Sequence, residues 1–210
     1  MTTADSADPG DIRTDRLRAA LRASASALKA GSVPFALAGS YALWVHGAPE
    51  NTHDVDLVVP ESAVDEAARC LADQGFTVER PPEDWLFKAY LDDAMVDILH
   101  RLNGSPIADD FIELAQPHDV LGLRIPVLPP TEVISTKLQA MSERYCDFGQ
   151  LLPPVRAVRE RLDWPRLVAD VGDNPFARAF LFLAGELAIM PTDLLPLPAP
   201  ERDTPATTSR

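Results

Sequence analysis

Two stretches, Leu37-Ala38-Gly39-Ser40-Tyr41-Ala42-Leu43 and Asp54-Val55-Asp56-Leu57-Val58, decide how this chain is read. The first follows an apolar run, so Val33 to Ala38 is predicted as a short buried strand and Gly39-Ser40 as its break. Tyr41 to His46 then reads as a helix that stops at Gly47. A glycine at such a break lets the backbone approach a ligand closely, and the amides of the helix start suit an anion such as phosphate. The plain alternative is a turn and helix cap. In the second stretch, Val55 to Val59 is a compact β-branched strand, and Asp54 and Asp56, two residues apart, point to the same side of it. The chain is rich in Asp, so the triplet alone carries little weight. Its weight comes from position, because the carboxylates enter an apolar run.

Outward from these stretches, residues 12 to 30 carry Leu17, Leu21 and Leu28 at helical spacing and are predicted as an amphipathic helix ending near Gly31. Ser62 to Gln74 is predicted as a second helix, with Gly75 as its stop. Strands are expected at Phe76 to Glu79, Trp85 to Leu91 and Met95 to Leu99, the last two joined as a hairpin across Asp92-Asp93. Asp109 to Ala115 reads as helix and Val120 to Pro126 as one more extended piece. Thr131 to Arg144 opens a helical half that continues to about Met190. This order predicts an α+β fold: a mixed sheet with flanking helices over residues 11–128, then a C-terminal helical bundle over 129–190. Residues 1–10 and 191–210, rich in Pro, Asp, Thr and Ala without apolar periodicity, are expected to be disordered tails.

Asp97 repeats the anomaly of Asp54 and Asp56 inside Met95-Val96-Asp97-Ile98-Leu99. A carboxylate placed there wants a cation or a hydrogen-bonded partner. Three carboxylates from adjacent strands can hold two Mg²⁺ ions about 4 Å apart, with Mn²⁺ as a substitute. The competing expectation is an ion pair from Asp97 to Arg101 or Arg124.

Taken together, the Gly39-Ser40 break, the Asp54-Val55-Asp56 triplet and Asp97 resemble the signature of the nucleotidyltransferase superfamily. That resemblance implies that Gly39 and Ser40 cradle nucleotide phosphates and that Asp54, Asp56 and Asp97 bind divalent metal. The C-terminal half, through Ser135-Thr136-Lys137-Leu138-Gln139-Ala140 and Glu143-Arg144-Tyr145-Cys146-Asp147-Phe148, resembles AbiEii-type toxins of bacterial toxin-antitoxin systems, including the MenT toxins that modify tRNA acceptor ends. It implies a Lys137 that reaches the triphosphate and an Arg144 and Asp147 that complete the pocket. In one unbroken helix these three would fall within about 80° of one face. The resemblance further implies a regulatory phosphosite at Thr52 and a cognate antitoxin. The acceptor it implies is a hydroxyl of tRNA, protein or a small molecule.

The composition bounds these readings. With 210 residues, 46% of them hydrophobic, the chain can bury one substantial core. A net charge of -13 argues against a protein that coats long DNA, since phosphate binding draws on local Lys and Arg. Cys70 and Cys146 form no metal-ligand spacing with His46, His53, His100 or His118, so zinc is not expected. No apolar run approaches a membrane span and the start lacks a secretory pattern, so a cytoplasmic protein is expected. Two functional classes remain: an NTP-dependent transferase, or a nucleotide-binding or antitoxin-like interaction module that keeps the site without turnover.

Overall fold

A computed structural model describes residues 9–50 and 53–194. Helix α1 (Pro9–Ala30) leads into strand β1 (Ala36–Leu37), helix α2 (Gly39–Val45), strand β2 (Val55–Val58) and helix α3 (Val64–Asp73). Strands β3 (Thr77–Glu79), β4 (Leu86–Leu91) and β5 (Ala94–Leu99) follow. A small hairpin, β6 (Arg101–Leu102) and β7 (Ser105–Pro106), precedes helix α4 (Asp109–Glu113) and the hairpin β8 (Gln116–Val120) and β9 (Leu123–Val127). Helices α5 (Pro130–Gln139), α6 (Phe148–Val158), α7 (Trp164–Val171) and α8 (Pro175–Glu186) complete the chain. Among the described residues no helix is long and apolar enough to cross a membrane.

The fold is α+β. Seven strands form one mixed sheet in the order β3-β4-β5-β2-β1-β9-β8. β2 runs parallel to β5 and antiparallel to β1, while β1 runs parallel to β9. The register sets Asp56 opposite Asp97 across β2 and β5, and Asp97 opposite Lys88 across β5 and β4. The strand period of two then divides the faces. Val55, Leu57, Val96 and Ile98 are fully buried on one side, leaving the carboxylates on the other. Acidic residues enter these apolar strands because the strands are two-faced. Helix α1 packs its Leu17, Leu21 and Leu28 into the same core, each contributing about 1.5–3 kcal/mol by leaving water.

Several elements differ from expectation. Helix α1 starts at Pro9 and residues Thr192–Leu194 form a 3-10 turn; the remaining tail residues, 1–8 and 195–210, lie outside the described residues. The extended piece at Val120 to Pro126 is the hairpin of β8 and β9, turned by Leu121 and Gly122, both at positive φ (51° and 80°). The helix expected to run from Thr131 to Arg144 ends at Gln139. The reason lies far along the chain: the Asn174 carboxamide donates to the carbonyls of Gln139 (3.3 Å) and Met141 (2.9 Å), satisfying groups that a helix end leaves open. Asn174 also caps α8 by accepting from the amides of Phe176 and Ala177.

The helical half is tied together by polar contacts as well as apolar packing. Glu132, only 6% exposed, takes a two-pronged ion pair from Arg166, and Ser135 donates to Asp170 at 2.7 Å. Arg166 thus fixes α7 against α5. His46 is held between layers, its Nε2 3.0 Å from the Leu128 carbonyl and its Nδ1 3.5 Å from the Arg161 guanidinium. Burial pushes the His46 imidazole below its ordinary pKa, so it is neutral at pH 7.

Candidate active site

Between the carboxylate face of the sheet and helix α5 lies an open cleft of about 800 Å³. Its floor carries Asp54, Asp56 and Asp97, one end of it Gly39 and Ser40, and its helical wall Lys137. One carboxylate oxygen from each of the three aspartates lies within 4.8 Å of the other two. Parallel pairing of β2 and β5 produces this approach, since it puts Asp56 and Asp97 side by side and Asp54 one pleat earlier on the same face.

Gly39 is the residue that permits it. Its φ is +57°, a conformation that costs other residues about 1–2 kcal/mol. A Cβ at this position would lie 1.7 Å from Asp56 Oδ2, so the carboxylate occupies the space a side chain would need. The Ser40 amide donates to Asp56 and helps hold it. That amide was expected to serve an anion from outside, and here it serves a carboxylate of the site itself. Beneath α2, the buried Tyr41 hydroxyl lies 3.5 Å from Glu50, which Arg18 of α1 grips with two hydrogen bonds (2.8 and 2.6 Å). These contacts anchor the start of the segment that leads to Asp54. Burial first, then the Glu50 charge, keeps the Tyr41 phenol protonated far above its ordinary range.

The electrostatics of the floor follow from crowding. Burial, reinforced by the Asp54 charge, pushes the Asp56 carboxyl up to about 7, with Lys137 opposing. Asp97, 8% exposed, is likewise raised by burial, against a pull from Lys88, whose Nζ lies 2.9 Å from Asp97 Oδ1. Burial lowers Lys88 in turn, but the Asp97 hydrogen bond and charge outweigh it and hold the ammonium charged. The ion pair expected for Asp97 is therefore made, and its partner is Lys88 instead of Arg101 or Arg124. Arg101 is engaged by Glu61 and Asp84, and Arg124 lies near Asp119. An Asp97 oxygen also lies within 4.8 Å of one from Asp54 and one from Asp56, so ion pair and clustering coexist.

Three oxygen ligands on adjacent strands match the preference of a small hard cation that keeps waters and shares positions with phosphates. Asp54, Asp56 and Asp97 fit such an ion, and the Asp54 charge that adds to burial in raising Asp56 is the kind of repulsion a divalent cation relieves.

Of the sequence-derived site residues, Gly39, Ser40, Asp54, Asp56, Asp97 and Lys137 meet in the cleft; Arg144 and Asp147 do not line it. Because α5 ends at Gln139, Arg144 falls in a tight turn and Asp147 becomes the N-cap of α6, accepting from the Gln150 amide at 3.0 Å. Thr52 lies outside the described residues. The sequence reading missed Trp85, Arg101, Asn103, Tyr145 and Gln150, all of which line the cleft. One signal was available: Asn103-Gly104 is a hairpin dipeptide, and both residues take the positive φ (51° and 82°) of a tight two-residue turn. Its tip reaches α5, where the Asn103 carboxamide donates to Gln139 Oε1 at 3.1 Å.

No protein-family model matches the sequence, and no curated protein matches it. Among solved structures, the chain is similar to an antigenic nucleotidyltransferase-like protein from Paracoccidioides brasiliensis, with 13% identity and a TM-score of 0.49 over 86% of this chain and 92% of the other. It is similar to the antibiotic-resistance factor ANT(2'')-Ia, with 14% identity and a TM-score of 0.48 over 82% of this chain and 88% of the other. A third similar structure is the lincosamide antibiotic adenylyltransferase LnuA in its lincomycin-bound form, with 13% identity and a TM-score of 0.44 over 62% of this chain and 90% of the other.

Proposed function

We propose that this chain is a Mg²⁺-dependent nucleotidyltransferase that moves a nucleoside monophosphate from an NTP to a hydroxyl acceptor, releasing pyrophosphate. The observation that carries the reading is the convergence of Asp54, Asp56 and Asp97 in one cleft with Lys137 and a Gly39 whose missing side chain makes room for Asp56. Asp54, Asp56 and Asp97 would hold the metal, which when bound supplies charge neutralisation for the triphosphate and lowers the pKa of the acceptor hydroxyl. Lys137, which exerts a charge effect on Asp56, would offset the negative charge of the β and γ phosphates. Asp97 is the proton acceptor at the hydroxyl, since its raised pKa brings it nearer to working pH and Lys88 occupies only one of its oxygens. The acceptor oxygen forms a bond to the α-phosphorus, the α-phosphorus to β-bridge bond breaks, and the electron pair leaves with pyrophosphate.

The test is transfer of label from each α-labelled NTP, with Mg²⁺, into a bacterial lysate, beside an Asp54→Asn, Asp56→Asn control. Label that appears on tRNA, protein or a small molecule and vanishes with the control supports the reading and names the acceptor. Mg²⁺-dependent NTP binding without transfer would instead favour a binding module.

A further inference from the structure

The helical wall of the cleft leads from Lys137 to an exposed aromatic ring. Val133, Thr136, Lys137 and Ala140 line it at the i, i+3, i+4, i+7 spacing of one helix face, so Ala140 lies about 4.5 Å beyond Lys137 along the axis. The wall then continues with Tyr145 and Gln150. Tyr145 is 64% exposed, the most exposed of the large hydrophobic residues among those described. Its backbone is nonetheless fixed: Ser142 N–H donates to the Tyr145 carbonyl and Tyr145 N–H to the Ser142 carbonyl, each at 3.0 Å. A ring of this size held in water by a pinned turn is a preorganised contact surface. Gln150 stands beside it in the first turn of α6. Its backbone amide serves the Asp147 cap, and its carboxamide makes no hydrogen bond among the described residues.

We propose that Tyr145 and Gln150 form the nucleobase subsite of the cleft, with the phenol ring stacked on the base and the carboxamide bonded to its edge. The proposal rests on the nucleotide reading above and extends it to the place where the base is held. Trp85, the other exposed large aromatic ring in the cleft, precedes β4 and so lies on the far side of Asp97 from Gly39. Tyr145 shares its wall with Lys137, so a nucleotide whose phosphates meet Lys137 extends its base along α5 toward Tyr145. A carboxamide offers one donor beside one acceptor, which complements adenine at N6 and N7 and equally a donor-acceptor edge of each other base, so the subsite holds a base without choosing among them.

Two ligands separate the base from the phosphates: the Mg²⁺ complexes of α,β-methylene-ATP, which resists transfer, and of inorganic tripolyphosphate. Titration calorimetry on the full chain is expected to show Tyr145→Ala weakening the ATP analogue by roughly 5- to 150-fold, the range of one base-stacking contact. Tripolyphosphate affinity stays unchanged in that variant, and Tyr145→Phe restores the analogue. Gln150→Leu is expected to weaken the ATP analogue by loss of the base-edge contacts while leaving tripolyphosphate affinity unchanged. Analogue affinity within about twofold of wild type in Tyr145→Ala, or equal weakening of both ligands, overturns the subsite while leaving the nucleotide reading standing. A wild-type protein that binds neither ligand overturns both.

Discussion

Replacing Asp56 with Asn is expected to stabilise the metal-free protein while abolishing its response to Mg²⁺. The Asp56 carboxyl, pushed from 3.8 up to about 7 by burial and by Asp54, binds its proton more tightly in the folded chain than in the unfolded one. Its contribution to stability is therefore most favourable below the unfolded value, falls as pH rises between about 4 and 7, and is fully unfavourable above. At pH 8 the full shift corresponds to about 4 kcal/mol, and because Asp56 opens onto a water-filled cleft about half of that is expected. Asparagine removes the charge and keeps an oxygen for the Ser40 amide. For a chain of this length, about 2 kcal/mol raises Tm by roughly 4–8 °C. Scanning calorimetry at pH 8 in EDTA checks the sign. Added Mg²⁺ should then raise the Tm of wild type only, with an affinity that increases as pH rises toward 7 and levels off beyond, because metal and proton compete for one carboxylate. A variant that melts at or below wild type in EDTA would refute the claim that the triad is electrostatically strained.

Three further perturbations probe other parts of the account. Gly39→Ala sets a methyl where Asp56 Oδ2 lies and forces an unfavourable positive φ, so it is expected to cost about 1–3 kcal/mol in thermal melts and at least about 100-fold in nucleotide transfer. Lys88→Met removes the cation that restrains the Asp97 pKa; the acid limb of the pH-rate profile is expected to move to higher pH, while an unmoved limb would exclude Asp97 as the proton acceptor. Asn174→Ala removes the α8 cap and the two hydrogen bonds that stop α5, with an expected loss of about 1–2 kcal/mol in denaturant unfolding and little change in affinity for Mg²⁺.

What the sequence disclosed was local. The strand-break-helix at Gly39, the two-faced strand at Asp54 to Val58 and the misplaced carboxylate at Asp97 were legible because each breaks a simple period, and such breaks concentrate where a site is built. The end of α5 was not legible, because it depends on Asn174, a residue distant in the chain that reaches back to cap it. Beyond that end Tyr145 lines the cleft, and Arg144 and Asp147 do not. The choice of Lys88 over Arg101 and Arg124 for Asp97 depended on strand register, which an apolar pattern fixes only modulo two. The β8-β9 turn was hidden for another reason: Leu121 is an unusual residue at positive φ, so only Gly122 marked it.

The most direct test of the central claim is to follow one reaction with ATP labelled separately at the α- and γ-phosphates, using the acceptor fraction from lysate and wild-type protein with Mg²⁺. The account predicts α-label on the acceptor and γ-label in pyrophosphate in equal amounts, both lost in Asp54→Asn. Transfer of the γ-label to the acceptor, or equal turnover in Asp54→Asn, would contradict it.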